Sequence, residues 1–291
     1  MKIVKYFFEC VSIISLFCIF KIIGLRNASN LGSVLGKLIG PLFRSKKIIK
    51  QNIKTGLGEI DVQKESEIIN DMWSNIGRTF AEYVFLKDFK FNRTNFDHMK
   101  INGVKHLDKI KKNNKPVIFY SAHFANFELM AMELDKFGIK CAAIYRPLNN
   151  FFLNPLMEYL RMKYICPNQI PKGRMGMRKI IGKVKDGYSI ALMVDQRVSE
   201  GPRTLFFNKP AHTTTIPAQL VLKYDCKLVP ISLERKEGSN FEMTIHEPYK
   251  IEKTGKDEKD TINVTLKINK IIEKMIIKNP KQWIWSHNRW K

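Results

Sequence analysis

An α/β fold, with a mixed sheet flanked by helices behind an N-terminal apolar helix, is what this sequence predicts. Three observations carry the prediction. Val4 to Leu25 is mostly apolar, residues 28–90 carry helical spacing with no strand signal, and from about residue 100 apolar runs alternate with helical segments. Alternation of that kind builds helices against a sheet.

The N-terminal segment is interrupted by Lys5, Glu9 and Lys21, and its cleanest stretch is Cys10 to Phe20. A span of the hydrocarbon core takes about 20 residues, which the segment reaches if both lysines snorkel and Glu9 sits near one interface. A cleaved signal peptide is the rival reading, since Lys2 and Lys5 precede the apolar run. No small-x-small cleavage site follows Phe20, so residues 1–25 are read as a membrane anchor. The next basic run, Arg44, Lys46, Lys47, Lys50 and Lys54, would lie beside an anionic leaflet.

Ile68, Ile69, Met72, Ile76, Phe80 and Val84 recur close to a 3.6 period and predict a packed helix between Glu65 and Lys87. The expected strands are Val117–Ala122, Cys141–Tyr145, Ser189–Val194, Lys227–Leu233 and Glu242–Ile245. Helices are expected over Phe127–Lys136, Pro155–Lys163, Met175–Lys185, Ile216–Lys223 and Thr261–Ile277. Lys253–Lys259 reads as a charged loop.

Composition narrows the function. The net charge is +23 over 291 residues, which favours polyanions such as anionic headgroups, an acidic carrier protein or nucleic acid. A lysine-rich proteome bias is the alternative source of that excess, since the chain is also heavy in Ile and Asn. No RNA-recognition, zinc-finger or helix-turn-helix signature accompanies the charge, so no nucleic-acid partner is expected. Five scattered cysteines and six histidines lack metal-ligand spacing, and neither a metal nor another cofactor is expected.

One segment carries chemistry. Val117-Ile-Phe-Tyr-Ser-Ala-His123-Phe-Ala-Asn126-Phe-Glu128 reads as a buried strand entering a helix, with Asn126 as N-cap. Five residues within a continuous helix turn through about 500°, so His123 and Glu128 meet only if His123 lies on the turn and Glu128 in the first helical turn. A general base and its orienting carboxylate would suit that layout. A capping histidine with a solvated glutamate suits it equally on spacing alone. G-x-S-x-G is absent, so no nucleophile elbow competes for the role.

Other segments follow in order: Tyr145-Arg146-Pro147, Asn154-Pro155-Leu156, Ile170-Pro171-Lys172-Gly173-Arg174, Met193-Val194-Asp195-Gln196, Gly201-Pro202-Arg203, Ala211 to Thr215, and Trp283-Ile-Trp285-Ser-His287-Asn-Arg289-Trp290. Upstream stand Trp73, Gly77-Arg78 and Glu82-Tyr83. In order and spacing this set resembles the late acyltransferases of lipid A biosynthesis, the lauroyl/myristoyl transferase family within the glycerolipid acyltransferase superfamily. The resemblance implies a glycerolipid acyltransferase-like fold, with a helical part over 26–100 and an α/β catalytic core over 101–291. It also implies acyl transfer from an acyl carrier protein to a phosphorylated, Kdo-bearing glycolipid at the cytoplasmic face of the inner membrane. His123 and Glu128 become the catalytic candidates. Arg146, Asn126, Lys172, Arg174, Asp195, Arg203 and Thr214 become the substrate-binding candidates. Trp283 and Trp285 are expected to close the core, while Arg289 is left free to face the membrane. The chain departs from the family pattern where Ala125 and Phe127 replace Gly and Trp.

Overall fold

The computed structural model describes residues 2–92 and 98–291. The end of the helical part expected over 26–100, residues 93–97, lies outside them.

The chain opens with α1 (Lys2–Phe43), kinked where Gly24 takes φ 79°. The first limb, about 22 residues at 1.5 Å rise, is roughly 33 Å long, enough to cross a hydrocarbon core. This long apolar helix is a candidate membrane anchor. Most of its side chains are uncovered: Ile3, Val4, Phe7, Phe8 and Ile22 are all at least half exposed. One face is nonetheless seated on the protein. Phe17 and Phe20 pack on Phe80, and Lys21 meets Asp88 at 2.8 Å.

Two short-to-medium helices follow, α2 (Lys46–Leu57) and α3 (Val62–Glu82), the latter capped by Asp61 accepting from the Lys64 amide at 2.7 Å. The second limb of α1 lies against α3 backbone to backbone. A Cβ on Gly36 would sit 2.2 Å from the Trp73 carbonyl oxygen, and one on Gly77 only 2.0 Å from that of Gly32. Glycines four residues apart on α1 therefore set the approach distance, a pairing the helical spacing alone did not reveal. After a 3₁₀ turn at Tyr83–Phe85 comes α4 (Leu86–Phe91).

The α/β part runs β1 (Met99–Asn102), α5 (Val104–Asn113), β2 (Val117–Ser121), α6 (Leu129–Lys136), β3 (Cys141–Tyr145) and α7 (Asn154–Leu160). A π-helical turn, Arg161–Ile165, then leads to β4 (Gln169–Pro171), α8 (Arg174–Lys185) and β5 (Ser189–Met193). The hairpin β6 (Arg203–Phe206) and β7 (Lys209–His212) precedes α9 (Ile216–Tyr224), β8 (Lys227–Arg235), β9 (Phe241–Ile245) and α10 (Asp257–Lys278). The seven-stranded sheet has the order β1-β9-β8-β2-β5-β3-β4, parallel at every pairing except the antiparallel β8–β9 pair. This is the mixed sheet flanked by helices that the alternation predicts. The five expected strands and five expected helices all form. Helix α5 was not anticipated, and nor were strands β1 and β4 or the β6–β7 hairpin, whose three- and four-residue strands carry too short a pattern to register.

Central strand β2 is buried at every residue because helices cover both sheet faces. Its neighbour β5 pairs Ser121 with Met193, so both chains leave the same edge of the sheet side by side. That adjacency positions the site.

Candidate active site

The turn after β2 is held from beneath. Ala125 sits in the left-handed region at φ 47°, where glycine would be unstrained and alanine costs roughly 1 kcal/mol. Its carbonyl accepts from Asn75 Nδ2 at 3.1 Å and Thr79 Oγ1 at 3.0 Å, both on α3. The next residue, Asn126, donates from Nδ2 to Glu82 Oε2 at 2.9 Å. Glu82 is fully buried and ion-paired with Arg235 at the end of β8, whose Nε also reaches Asn75 Oδ1 at 2.9 Å. Ser29 of α1 donates to the same carboxylate at 2.9 Å. A buried ion pair is tolerable when its remaining groups are hydrogen-bonded in this way. Asn126 is thus neither N-cap nor a cavity group. Helix α6 begins at Leu129, and the amide of Asn126 serves the buried network instead.

His123 projects from this turn with its side chain 16% exposed. Nδ1 lies 2.7 Å from Asp195 Oδ1, and the His123 amide donates to Oδ2 at 3.1 Å. Trp283 Nε1 donates to Oδ2 at 2.8 Å. Burial is the largest single influence on this carboxyl and opposes its ionisation. The His123 charge and the hydrogen bonds from His123 and Trp283 together outweigh it and hold the group down at about 2. An ionised carboxylate only accepts, so in the neutral ring Nδ1 carries the proton and Nε2 has the lone pair.

Sequence reasoning expected Glu128 against the His123 ring; the structure has Asp195 there instead. The carboxylate on Nδ1 is Asp195, because β2 and β5 are sheet neighbours, an order that sequence does not reveal. Glu128 lines the same cavity, but its Oε1 accepts from Arg161 Nε at 3.1 Å and Nη2 at 2.6 Å, and from the Tyr83 hydroxyl. Burial first and the neighbouring Glu128 charge second push the Tyr83 hydroxyl well up, so it stays a donor.

The cavity beside His123 has a volume of about 430 Å³. Phe127, Met130, Ile144, Ile165 and Leu192 line it together with Arg146, Lys172, Gln196 and Arg197. Partial burial of its ammonium, and then the Arg146 guanidinium, hold Lys172 below the ordinary lysine range. Arg161 Nη1 and Arg197 Nε are buried without an acceptor. Such donors suit an anionic group or a developing oxyanion.

Of the substrate-binding candidates, Arg146, Lys172 and Thr214 line the cavity, and Asp195 lies beneath it. Arg174 is exposed at the start of α8, outside the lining. Arg203 also falls outside. Alternation along β6 turns Thr204 and Phe206 inward and leaves Arg203 exposed against His212 at 3.3 Å.

Trp283 and Trp285 are buried as expected. Arg289 does not face a membrane, being wholly buried. It donates to the His212 carbonyl at 2.6 Å and Thr213 Oγ1 at 2.8 Å, and lies 4.8 Å from the Phe206 ring centroid. His287 Nε2 accepts from the Arg197 amide at 2.9 Å, and burial holds this imidazole down at about 4, so it is neutral. Arg161 and Arg197, which line the cavity, and Tyr83 and His287, which bond to Glu128 and to the Arg197 amide, were not assigned site roles from sequence. Tyr83 and His287 lay within segments that carried the resemblance, whereas Arg161 and Arg197 stand in no such segment. Among the described residues no group of His, Cys, Asp and Glu is arranged to hold a metal.

The model of the bacterial lipid A biosynthesis acyltransferase family matches residues 1–291. The chain is similar to the lipid A biosynthesis lauroyltransferase of Escherichia coli (strain K12), 25% identical over 270 residues, which cover 90% of this chain and 84% of that one. It is 24% identical to the palmitoleoyltransferase of the same strain, over 270 residues and the same shares. A lipid A biosynthesis acyltransferase of Haemophilus influenzae is 23% identical over 259 residues, 85% of this chain and 78% of that one.

Proposed function

The chain belongs to the bacterial lipid A biosynthesis acyltransferase family, and we propose that it moves a fatty acyl group from an acyl carrier protein thioester to a hydroxyl of a Kdo-bearing lipid A precursor. The observation that supports this most is the Asp195–His123 pair beside a cavity lined by both apolar and cationic side chains. An acyl chain fits the apolar side chains, and anionic donor and acceptor groups fit the cationic ones. The basic surface suits both an acidic carrier and a phosphorylated acceptor.

In this reading His123 Nε2 takes the acceptor's hydroxyl proton as that oxygen attacks the thioester carbonyl. Asp195 keeps the ring in the required tautomer and stabilises the imidazolium. The oxyanion meets the free Nη1–H of Arg161, which Glu128 and Tyr83 hold in place. Collapse expels the carrier thiol, protonated by His123. General-base action of this kind contributes roughly 10²–10⁴-fold, and an oxyanion donor about 10²–10³-fold. Arg146 and Lys172 bind an acceptor phosphate. The proposed location is the cytoplasmic face of the inner membrane, with α1 as anchor.

Mass spectrometry of lipid A from cells with and without the chain tests this. Loss of one acyl substituent without it, unrestored by His123→Ala, is expected. Identical lipid A in both would contradict the reading.

A further inference from the structure

Between β3 and α7 the chain makes a loop that presents its aromatic residues outward. Phe151 is 52% exposed and Phe152 40% exposed. Their exposure is built in. Asn150 is buried, and its Oδ1 accepts from the Phe152 and Leu153 amides at 3.1 and 3.2 Å. Its Nδ2 donates to the Tyr6 carbonyl at 2.8 Å and reaches Glu9 Oε2 at 3.3 Å, so one buried amide fixes the loop and ties it to α1. Ring contacts continue the join: Tyr6 to Phe151 at 5.9 Å and Phe7 to Phe152 at 5.8 Å between centroids. At the other side of the loop, Leu148 and Asn149 line the catalytic cavity, and Arg146 and Lys172 stand beside them.

We propose that residues 147–153 form a second membrane contact, which seats the mouth of the catalytic cavity on an anionic bilayer next to α1. Two things point to a bilayer as the occupant. The exposed phenylalanines continue the uncovered apolar face of the candidate anchor without a break. The neighbouring cations are placed as headgroup-level cations are in interfacial segments. The acyl acceptor then enters sideways from the leaflet and need not leave it. This last point rests on the acyltransfer reading; the contact itself does not.

Full-length Phe151→Trp tests the contact without any turnover. It is reconstituted in phosphatidylcholine–phosphatidylglycerol vesicles with brominated acyl chains. Of the four native tryptophans Trp73, Trp283 and Trp285 are buried and Trp290 partly so, and the wild type, which carries all four, sets the background. The added indole should be blue-shifted and quenched by the brominated chains. Quenching no greater than in the wild type overturns the proposal. So does a blue shift in detergent that grows with protein concentration, which would put a second copy on the patch. A second variant, Phe151→Ser/Phe152→Ser, should turn over bilayer-embedded acceptor about tenfold more slowly and detergent-dispersed acceptor within about twofold of wild type. An equal loss in both would mean that the loop only supports the site. Quenching without transferase activity would leave the contact standing and count against the acyltransfer reading alone.

Discussion

Replacing Asp195 with asparagine separates the two carboxylates that compete for the role of orienting His123. The wild-type carboxyl sits at about 2 against an ordinary 3.8, although burial pulls the other way. The difference represents roughly 2–3 kcal/mol of net favourable interaction with the ion. Asparagine removes that charge. Its amide can also donate to Nδ1, which moves the ring proton to Nε2 and leaves no lone pair for the acceptor hydroxyl. In a triad of this geometry the wrong tautomer alone costs about 10⁴ in kcat. We expect kcat to fall by at least about 10³ with KM changed only a few-fold, read by steady-state kinetics with varied acceptor. Stability provides an independent check. A depressed carboxyl contributes fully above its unfolded value near 3.8 and loses that contribution as pH falls through about 2. The stability gap between wild type and variant should therefore be level above about pH 5 and close toward pH 2. If Asp195→Asn keeps kcat within about tenfold of wild type while Glu128→Gln abolishes it, Glu128 orients the base and the geometric argument fails.

Further expectations follow from single residues. Gly77→Ala would place a methyl 2.0 Å from the Gly32 carbonyl oxygen, so the α1–α3 contact should open. Thermal unfolding should report a loss of about 2–3 kcal/mol, and none if the helices separate freely. At Ala125, with its positive φ, glycine should be nearly neutral: relieved strain of about 1 kcal/mol offsets the added chain entropy. Ala125→Val should cost well over 1 kcal/mol in the same unfolding assay. His287 is buried neutral at about 4, so its contribution is complete above the unfolded value of 6.5 and declines as pH falls from there. Between pH 7 and pH 5 this amounts to about 2 kcal/mol. His287→Gln, whose amide oxygen can still accept from Arg197, should flatten that slope in unfolding curves taken across the range.

The ease of reading differed with the range of the interaction. The buried strand Val117–Ser121 and the His123 turn were legible because a continuous apolar run, a histidine and a capping-type residue lie within twelve positions. The helices α8, α9 and α10 were legible from apolar spacing. Asp195 was recognised as a site residue, but its bond to His123 depends on β5 lying beside β2, across 72 positions of sequence. Glu82 and Arg235, separated by 153 positions, could not be paired from spacing at all. Glycine at four-residue intervals in α1 was visible in the sequence, yet its meaning required Gly77 opposite. The family's glycine at position 125 has a physical reason that only the backbone supplies, a left-handed φ.

Acyl transfer with His123 as base is tested most directly with purified full-length protein, an acyl carrier protein thioester and a Kdo-bearing lipid A precursor. The product is weighed by mass spectrometry and the released carrier thiol is titrated. The account predicts one ester-linked acyl group gained per thiol released, and a rate at least about 10²-fold lower in a folded His123→Ala variant. Thiol release with free fatty acid as the only product, or a His123→Ala rate close to wild type, would contradict it.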